Sequence, residues 1–140
     1  MEGGSSIVYT AMSQAVTCHC GISPIPTEAD PTWLGKCHCV DCQKLSGSGY
    51  VPIACYPAKS VSWSGNVVSY RSSESMVRYF CGQCGSPLLY HTDRDERYAG
   101  HICVLVGLYG ATSDTLQFNE HIFVSQKREW DDICDDLSQR

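Results

Sequence analysis

A mostly β fold in a single domain is what this sequence predicts, and three observations predict it. Short apolar segments rich in Val, Ile, Tyr and Phe recur along the chain, broken by Gly, Pro and Ser. No stretch keeps the apolar spacing of an amphipathic helix for more than about two turns. The length, 140 residues, suits one compact unit, and no repeat, low-complexity tract or interdomain linker divides it.

Taken in order, residues 1–13 read as a flexible N-terminal tail, 14–135 as the domain and 136–140 as a C-terminal tail. Three prolines, Pro24, Pro26 and Pro31, make 22–32 a surface loop. Strands are expected over 50–56, 61–63, 66–71, 76–80, 88–91, 101–108 and 121–124. Ser64-Gly65-Asn66 suits a tight turn. Short helical pieces are expected at 39–45 and 131–139. The run Asp93-Arg94-Asp95-Glu96-Arg97 reads as a solvated loop of mixed charge.

Composition narrows the function. Net charge is −5 and the isoelectric point is about 5.4, with Lys and Arg scattered. A phosphate-backbone binder carries a basic face, so no nucleic-acid partner is expected. The longest apolar-leaning run, 102–108, is too short to cross a bilayer, so no membrane partner is expected either. Met1-Glu2-Gly3-Gly4-Ser5-Ser6 lacks the basic and apolar regions of a signal peptide, which points to a cytoplasmic protein. Disulfides rarely persist there, so closely spaced cysteines read first as metal ligands.

Seven of the ten cysteines are closely spaced: Cys18-x-Cys20, Cys37-x-Cys39-x-x-Cys42 and Cys81-x-x-Cys84. Cys81-Gly82-Gln83-Cys84-Gly85 has the form of a zinc knuckle, and Cys18-His19-Cys20-Gly21 supplies a matching pair. Cys18, Cys20, Cys81 and Cys84 are therefore assigned to a closed structural Zn2+ site. Cys37, Cys39 and Cys42 would hold a second Zn2+ from one side and leave one ligand position open, as catalytic zinc sites do. Three thiolates donate much charge, so the task that fits such an ion is activating another thiolate. Two other readings stand beside this one. Cys81 and Cys84 are a redox pair, or the second group is closed by Cys55, Cys103 or a histidine. On an extended backbone His19 and His38 point away from the flanking cysteines. Cys55 and Cys103 read as small buried hydrophobes, and Cys134 has no assigned role. Arg71 and Arg78, the basic residues closest in sequence to the knuckle, are candidates for pairing with a ligand carboxylate.

The motifs Cys18–Gly21 (Cys-x-Cys-Gly), 37–43 (Cys-His-Cys-x-x-Cys-Gln) and 78–88 (Arg-x-Phe-Cys-x-x-Cys-Gly-Ser-Pro-Leu) resemble those of the glutathione-dependent formaldehyde-activating enzyme and centromere protein V family. Ser46-Gly47-Ser48, Tyr70 with Ser72-Ser73, and His121-Ile122-Phe123-Val124 with Lys127 and Trp130 extend the resemblance over 14–135. It implies an Mss4-like, β-rich domain pinned by zinc, with one four-cysteine and one three-cysteine site. It also implies a carbon–sulfur lyase, with a small-molecule thiol (glutathione) and an electrophile such as formaldehyde as partners. Relatives often show Gly-x-Leu-Asp where this chain has Val106-Gly107-Leu108-Tyr109, a change expected near the pocket. A non-catalytic zinc module is the competing expectation. Its contact surface would be the acidic segment Trp130-Asp131-Asp132 and Asp135-Asp136.

Overall fold

In a computed structural model, which describes residues 16–21, 23, 25, 29–92 and 100–140, eight strands form one sheet. They are β1 (Trp33–Cys37), β2 (Val51–Pro57), β3 (Val67–Arg71), β4 (Met76–Cys81), β5 (Pro87–Thr92), β6 (His101–Leu105), β7 (Glu120–Ile122) and β8 (Ser138–Gln139). Their order is β3-β4-β5-β6-β2-β1-β7-β8, antiparallel except where β1 pairs with β7 and β7 with β8. One α-helix, α1 (Val40–Ser46), follows β1 directly. The mostly β, single-domain expectation holds. The expected tail at 1–13 and the charged loop at 93–97 lie outside the described residues.

The central strands show why the sequence reads as β. Side chains alternate between faces along a strand. In β2, Ala54 and Tyr56 enter one apolar cluster, while Val51, Ile53 and Cys55 enter another. β6 divides the same way, with Ile102 and Val104 on the first face and Cys103 and Leu105 on the second. The sheet is therefore covered on both sides. Leu88, Leu89, Val16, Ile25 and Tyr109 build the first core. Cys37, Cys42, Tyr90 and Ile122 build the second, against α1. Each fully buried Leu, Ile or Val contributes about 1.5–3 kcal/mol of transfer free energy.

Several expectations need correction. Residues 131–139 form no helix; they run as bends into β8, whose partner is β7. Side-chain contacts hold the segment extended instead: Asp135 lies against Lys36 and His121, and Asp131 against His38, as described below. Within 136–140, Ser138–Gln139 pair with β7 as β8. β6 stops at Leu105, and Val106–Thr115 winds as 3-10 turns interrupted at Gly110. β1 was missing from the expected strands, because Gly35 and Lys36 dilute its apolar pattern. Cys55 and Cys103 are more than small hydrophobes: they face each other across β2 and β6 and form a disulfide. Their opposed register, with Cα atoms 4.1 Å apart, brings the two sulfurs together whatever their distance in sequence. Tyr109 is buried on the first face, bonded to the Tyr56 hydroxyl, away from the second core.

Candidate metal centres and active site

The first centre joins two short loops. Cys18 and Cys20 come from one, and Cys81 and Cys84 from the turn after β4. Each loop turns on a glycine at positive φ, Gly21 at 81° and Gly85 at 79°. That region is costly for any side chain bearing Cβ. Gly21 N–H donates to the Cys18 carbonyl and Gly85 N–H to the Cys81 carbonyl, closing both turns. All four sulfurs lie within 4.8 Å of one another. Cys18 Sγ is 3.5 Å from Cys20 Sγ, and Cys20 Sγ is 3.8 Å from Cys81 Sγ. The surroundings donate to sulfur: Ser23 N–H to Cys18 at 3.3 Å, and the Ser23 hydroxyl to Cys81 at 3.4 Å. The Ser86 hydroxyl sits 3.1 Å from Cys84 Sγ and, with the Ser86 backbone, lowers that thiol to about 5. Four soft donors at this spacing suit a tetrahedral metal site. The βαβ frame of a thioredoxin-like redox pair is absent among the described residues.

The second centre is built on the β1–α1 junction. Cys37 ends β1, Cys39 is the N-cap of α1, and Cys42 sits in its first turn. Cys39 Sγ accepts from Cys42 N–H at 3.3 Å, the capping bond that starts the helix. The three sulfurs lie within 4.8 Å of one another, and no fourth Cys, His, Asp or Glu among the described residues joins them. Cys37 and Cys42 are buried and Cys39 half-buried. Hydrogen bonds from the Cys37 and Cys42 thiols hold Cys39 down at about 2. Those contacts, with burial, push Cys37 far up. Three clustered sulfurs in an apolar setting are a donor set that a soft cation fits, by displacing their protons.

Arg78 completes this site, from the far side of the sheet order. Its Nη1 lies 3.9 Å from Cys42 Sγ, its Nε donates to Ser72 Oγ at 3.0 Å, and its guanidinium stacks 4.7 Å from the Tyr90 ring centre. Burial, then the nearby Cys42 sulfur, raises the Tyr90 hydroxyl far above its ordinary range, so it stays neutral. A hollow of about 30 Å³ opens between Cys42, Ser46, Arg78 and Tyr90. Of the two expected carboxylate-binding arginines, Arg78 is at the cysteines. Arg71 is at the far end of β3, donating to the Glu74 carbonyl at 3.0 Å.

Closure of the second group by Cys55, Cys103 or a histidine is overturned. The two cysteines are bonded to each other, and His38 turns toward His121. His38 Nε2 lies 2.8 Å from His121 Nδ1, and His121 Nε2 lies 3.0 Å from Asp135 Oδ1. On the other side of His38, Asp131 Oδ2 is 3.5 Å from Nδ1. With His121 donating to Asp135 from Nε2, its Nδ1 accepts from His38 Nε2–H. This His38–His121–Asp135 row lies behind the ligand loop and fastens the C-terminal segment to it, while His38 Nδ1 and Asp131 Oδ2 are buried without a hydrogen-bond partner among the described residues. Its only sequence signal was His38 between two cysteines, and His121 in the closing motif. Of the carboxylates the competing reading would offer to a partner, Asp135 is engaged by His121 and Lys36, and Asp131 Oδ2 is buried beside His38. Trp130 remains exposed.

Comparison with known proteins agrees with this geometry. A family model described as glutathione-dependent formaldehyde-activating enzyme matches residues 13–126. An uncharacterized lyase of Schizosaccharomyces pombe is 29% identical over 98 residues, covering 69% of this chain and 72% of the relative. A Rhodobacter sphaeroides protein of known crystal structure shares the fold. Its TM-score is 0.52 at 21% identity, over 66% of this chain and 84% of that one.

Proposed function

Because the chain belongs to the glutathione-dependent formaldehyde-activating enzyme family, we propose that it is a zinc-dependent carbon–sulfur lyase. It joins a small-molecule thiol, glutathione, to an electrophilic carbon such as that of an aldehyde, and releases it in reverse. The observation that carries this reading is the three-sulfur group, which has no fourth protein ligand among the described residues and opens to a hollow beside Arg78.

Cys37, Cys39 and Cys42 would hold one zinc ion, whose positive charge stabilises the thiolate form of a sulfur bound beside it. Cys18, Cys20, Cys81 and Cys84 would hold a second, structural zinc ion. Arg78 pairs with a carboxylate of the thiol and fixes its sulfur near Cys42. Leu45, Val51 and Tyr90 wall the hollow and limit water. In the reaction the thiol sulfur bonds to the carbonyl carbon, the C=O π pair moves to oxygen, and oxygen takes a proton. The product is a hydroxyalkyl thioether, and no oxidant is needed. Holding both reactants in register contributes up to about 7–11 kcal/mol in well-oriented systems.

The test combines metal content with turnover. The protein should carry two zinc ions per chain and form S-hydroxymethylglutathione faster than the uncatalysed mixture, as read by NMR. Cys42→Ser should lose one zinc ion and the turnover while keeping its melting transition. Turnover retained in Cys42→Ser would defeat the proposal.

A further inference from the structure

Beyond the cysteines, a larger groove adjoins the hollow at Cys42. The two lie side by side, both lined by Ser46, Val51, Pro87 and Leu105. The second measures about 230 Å³. A small molecule the size of water needs only roughly 10–15 Å³ of such space, so formaldehyde would leave almost all of the groove unfilled. Val51, Pro52, Pro87, Leu105 and Leu108 line it together with Tyr50 and three serines, Ser46, Ser48 and Ser86. No charged side chain lines it. The charged peptide part of glutathione is thus poorly matched to this groove and well matched to the Arg78 end.

We propose that this groove seats the carbon skeleton of the electrophile, and that the preferred substrate carbon bears an apolar chain or ring. The proposal rests on the thiol-binding reading above and adds the class of electrophile. An aldehyde R–CHO with its carbonyl carbon at the Cys42 end lays R along Val51, Leu105 and Leu108. The sulfur of the thiol R′SH bonds to that carbon, the oxygen gains the thiol's proton, and the adduct R′S–CH(OH)R forms with all atoms conserved. Specificity follows from burial, since each fully buried methylene is worth about fourfold in affinity.

Gly107 offers a direct way to fill the groove. It lines the wall, and a Cβ placed there meets no atom within 4 Å. Its φ is outside the left-handed region, so a larger residue is not strained by the backbone.

The experiment uses S-methylglutathione and S-hexylglutathione, titrated calorimetrically into the zinc-loaded protein and into Gly107→Phe. Initial rates of adduct formation from glutathione with formaldehyde or hexanal are measured beside them. We expect the hexyl adduct to bind at least about tenfold more tightly than the methyl adduct, equivalent to fewer than two fully buried methylenes. Hexanal should show the higher kcat/KM. In Gly107→Phe the hexyl-to-methyl ratio should fall toward one. Equal binding of the two adducts to the unmodified protein overturns this inference and leaves the thiol reading standing. Failure of both adducts to bind, with no turnover of either aldehyde, overturns the thiol reading too. A hexyl preference that survives in Gly107→Phe shows that the skeleton lies elsewhere, and also overturns the inference.

Discussion

Replacing Arg78 with glutamine separates what this side chain does for the sheet from what it does for the ligand. In the fold it stacks 4.7 Å from the Tyr90 ring centre and donates to Ser72 at 3.0 Å. A cation over an aromatic face is worth about 0.5–2 kcal/mol, and the hydrogen bond about 1 kcal/mol. Arg78 is half-exposed, so the lower end applies. A loss of about 1.5 kcal/mol lowers the melting temperature of a domain this size by roughly 5 °C. At the site, the same guanidinium stands 3.9 Å from Cys42 Sγ, where a thiol's carboxylate would find it. A charge-assisted hydrogen bond contributes about 1.5–3 kcal/mol, so kcat/KM should fall roughly 10- to 150-fold. Because the carboxylate is held in ground and transition states alike, the loss should appear mostly as a higher KM. Arg78→Lys keeps the charge without the planar fork and should recover part of it. The assay is steady-state NMR of adduct formation, with calorimetric melting alongside. A Gln variant that melts about 5 °C lower yet keeps kcat/KM within threefold would refute the ligand role. Arg78 would then be a clamp between strands only.

Three further outcomes are expected. Cys81→Ser, which removes a fully buried ligand of the first centre, should show no cooperative melting, since structural zinc in small units supplies about 10–16 kcal/mol against a total stability of about 5–15 kcal/mol; a sharp transition near the unmodified value would refute the structural assignment. Replacing both Cys55 and Cys103 with Ala should cost up to about 4 kcal/mol, given their separation of 48 residues, and alkylation of the denatured, unreduced chain should leave those two unlabelled; labelling of all ten cysteines would refute the disulfide. The hydrogen bond from His121 lowers Asp135 from 3.8 to about 2. Its contribution is therefore fully present above pH 3.8 and is lost as pH falls through about 2. Exchange protection of the Arg140 amide, bonded to the His121 carbonyl, should fall across that window, and Asp135→Asn should abolish the step. An unchanged profile in Asp135→Asn would show that the carboxylate does not anchor the segment.

Most of the strands were legible because period-two alternation survives burial on two faces. The expected strand at 76–80 corresponds to β4 at Met76–Cys81, and 88–91 to β5 at Pro87–Thr92. The helix at 39–45 was offset by one residue, since Cys39 serves as its cap rather than its first turn. The grouping of cysteines was legible too, because short spacings force neighbouring sulfurs together. What stayed hidden depends on long-range register. Nothing local to Cys55 announces that Cys103 stands opposite it. Arg78 and Cys42 are 36 residues apart and meet only in the folded chain. Tyr109 was expected near the pocket, and local sequence could not tell which face of the sheet it joins.

One strand carries a consequence of its own. β4 ends in Cys81, a sulfur of the first centre, and three residues earlier it presents Arg78 to the second. The knuckle is thus the anchorage from which the arginine is aimed. Stripping metal from the first centre would release the end of β4 and misdirect Arg78, although every ligand of the second centre stayed in place. In a graded chelator titration, thiol affinity should decline in step with the first ion lost from Cys18, Cys20, Cys81 and Cys84. The two groups of cysteines would then behave as one instrument with a distant fulcrum.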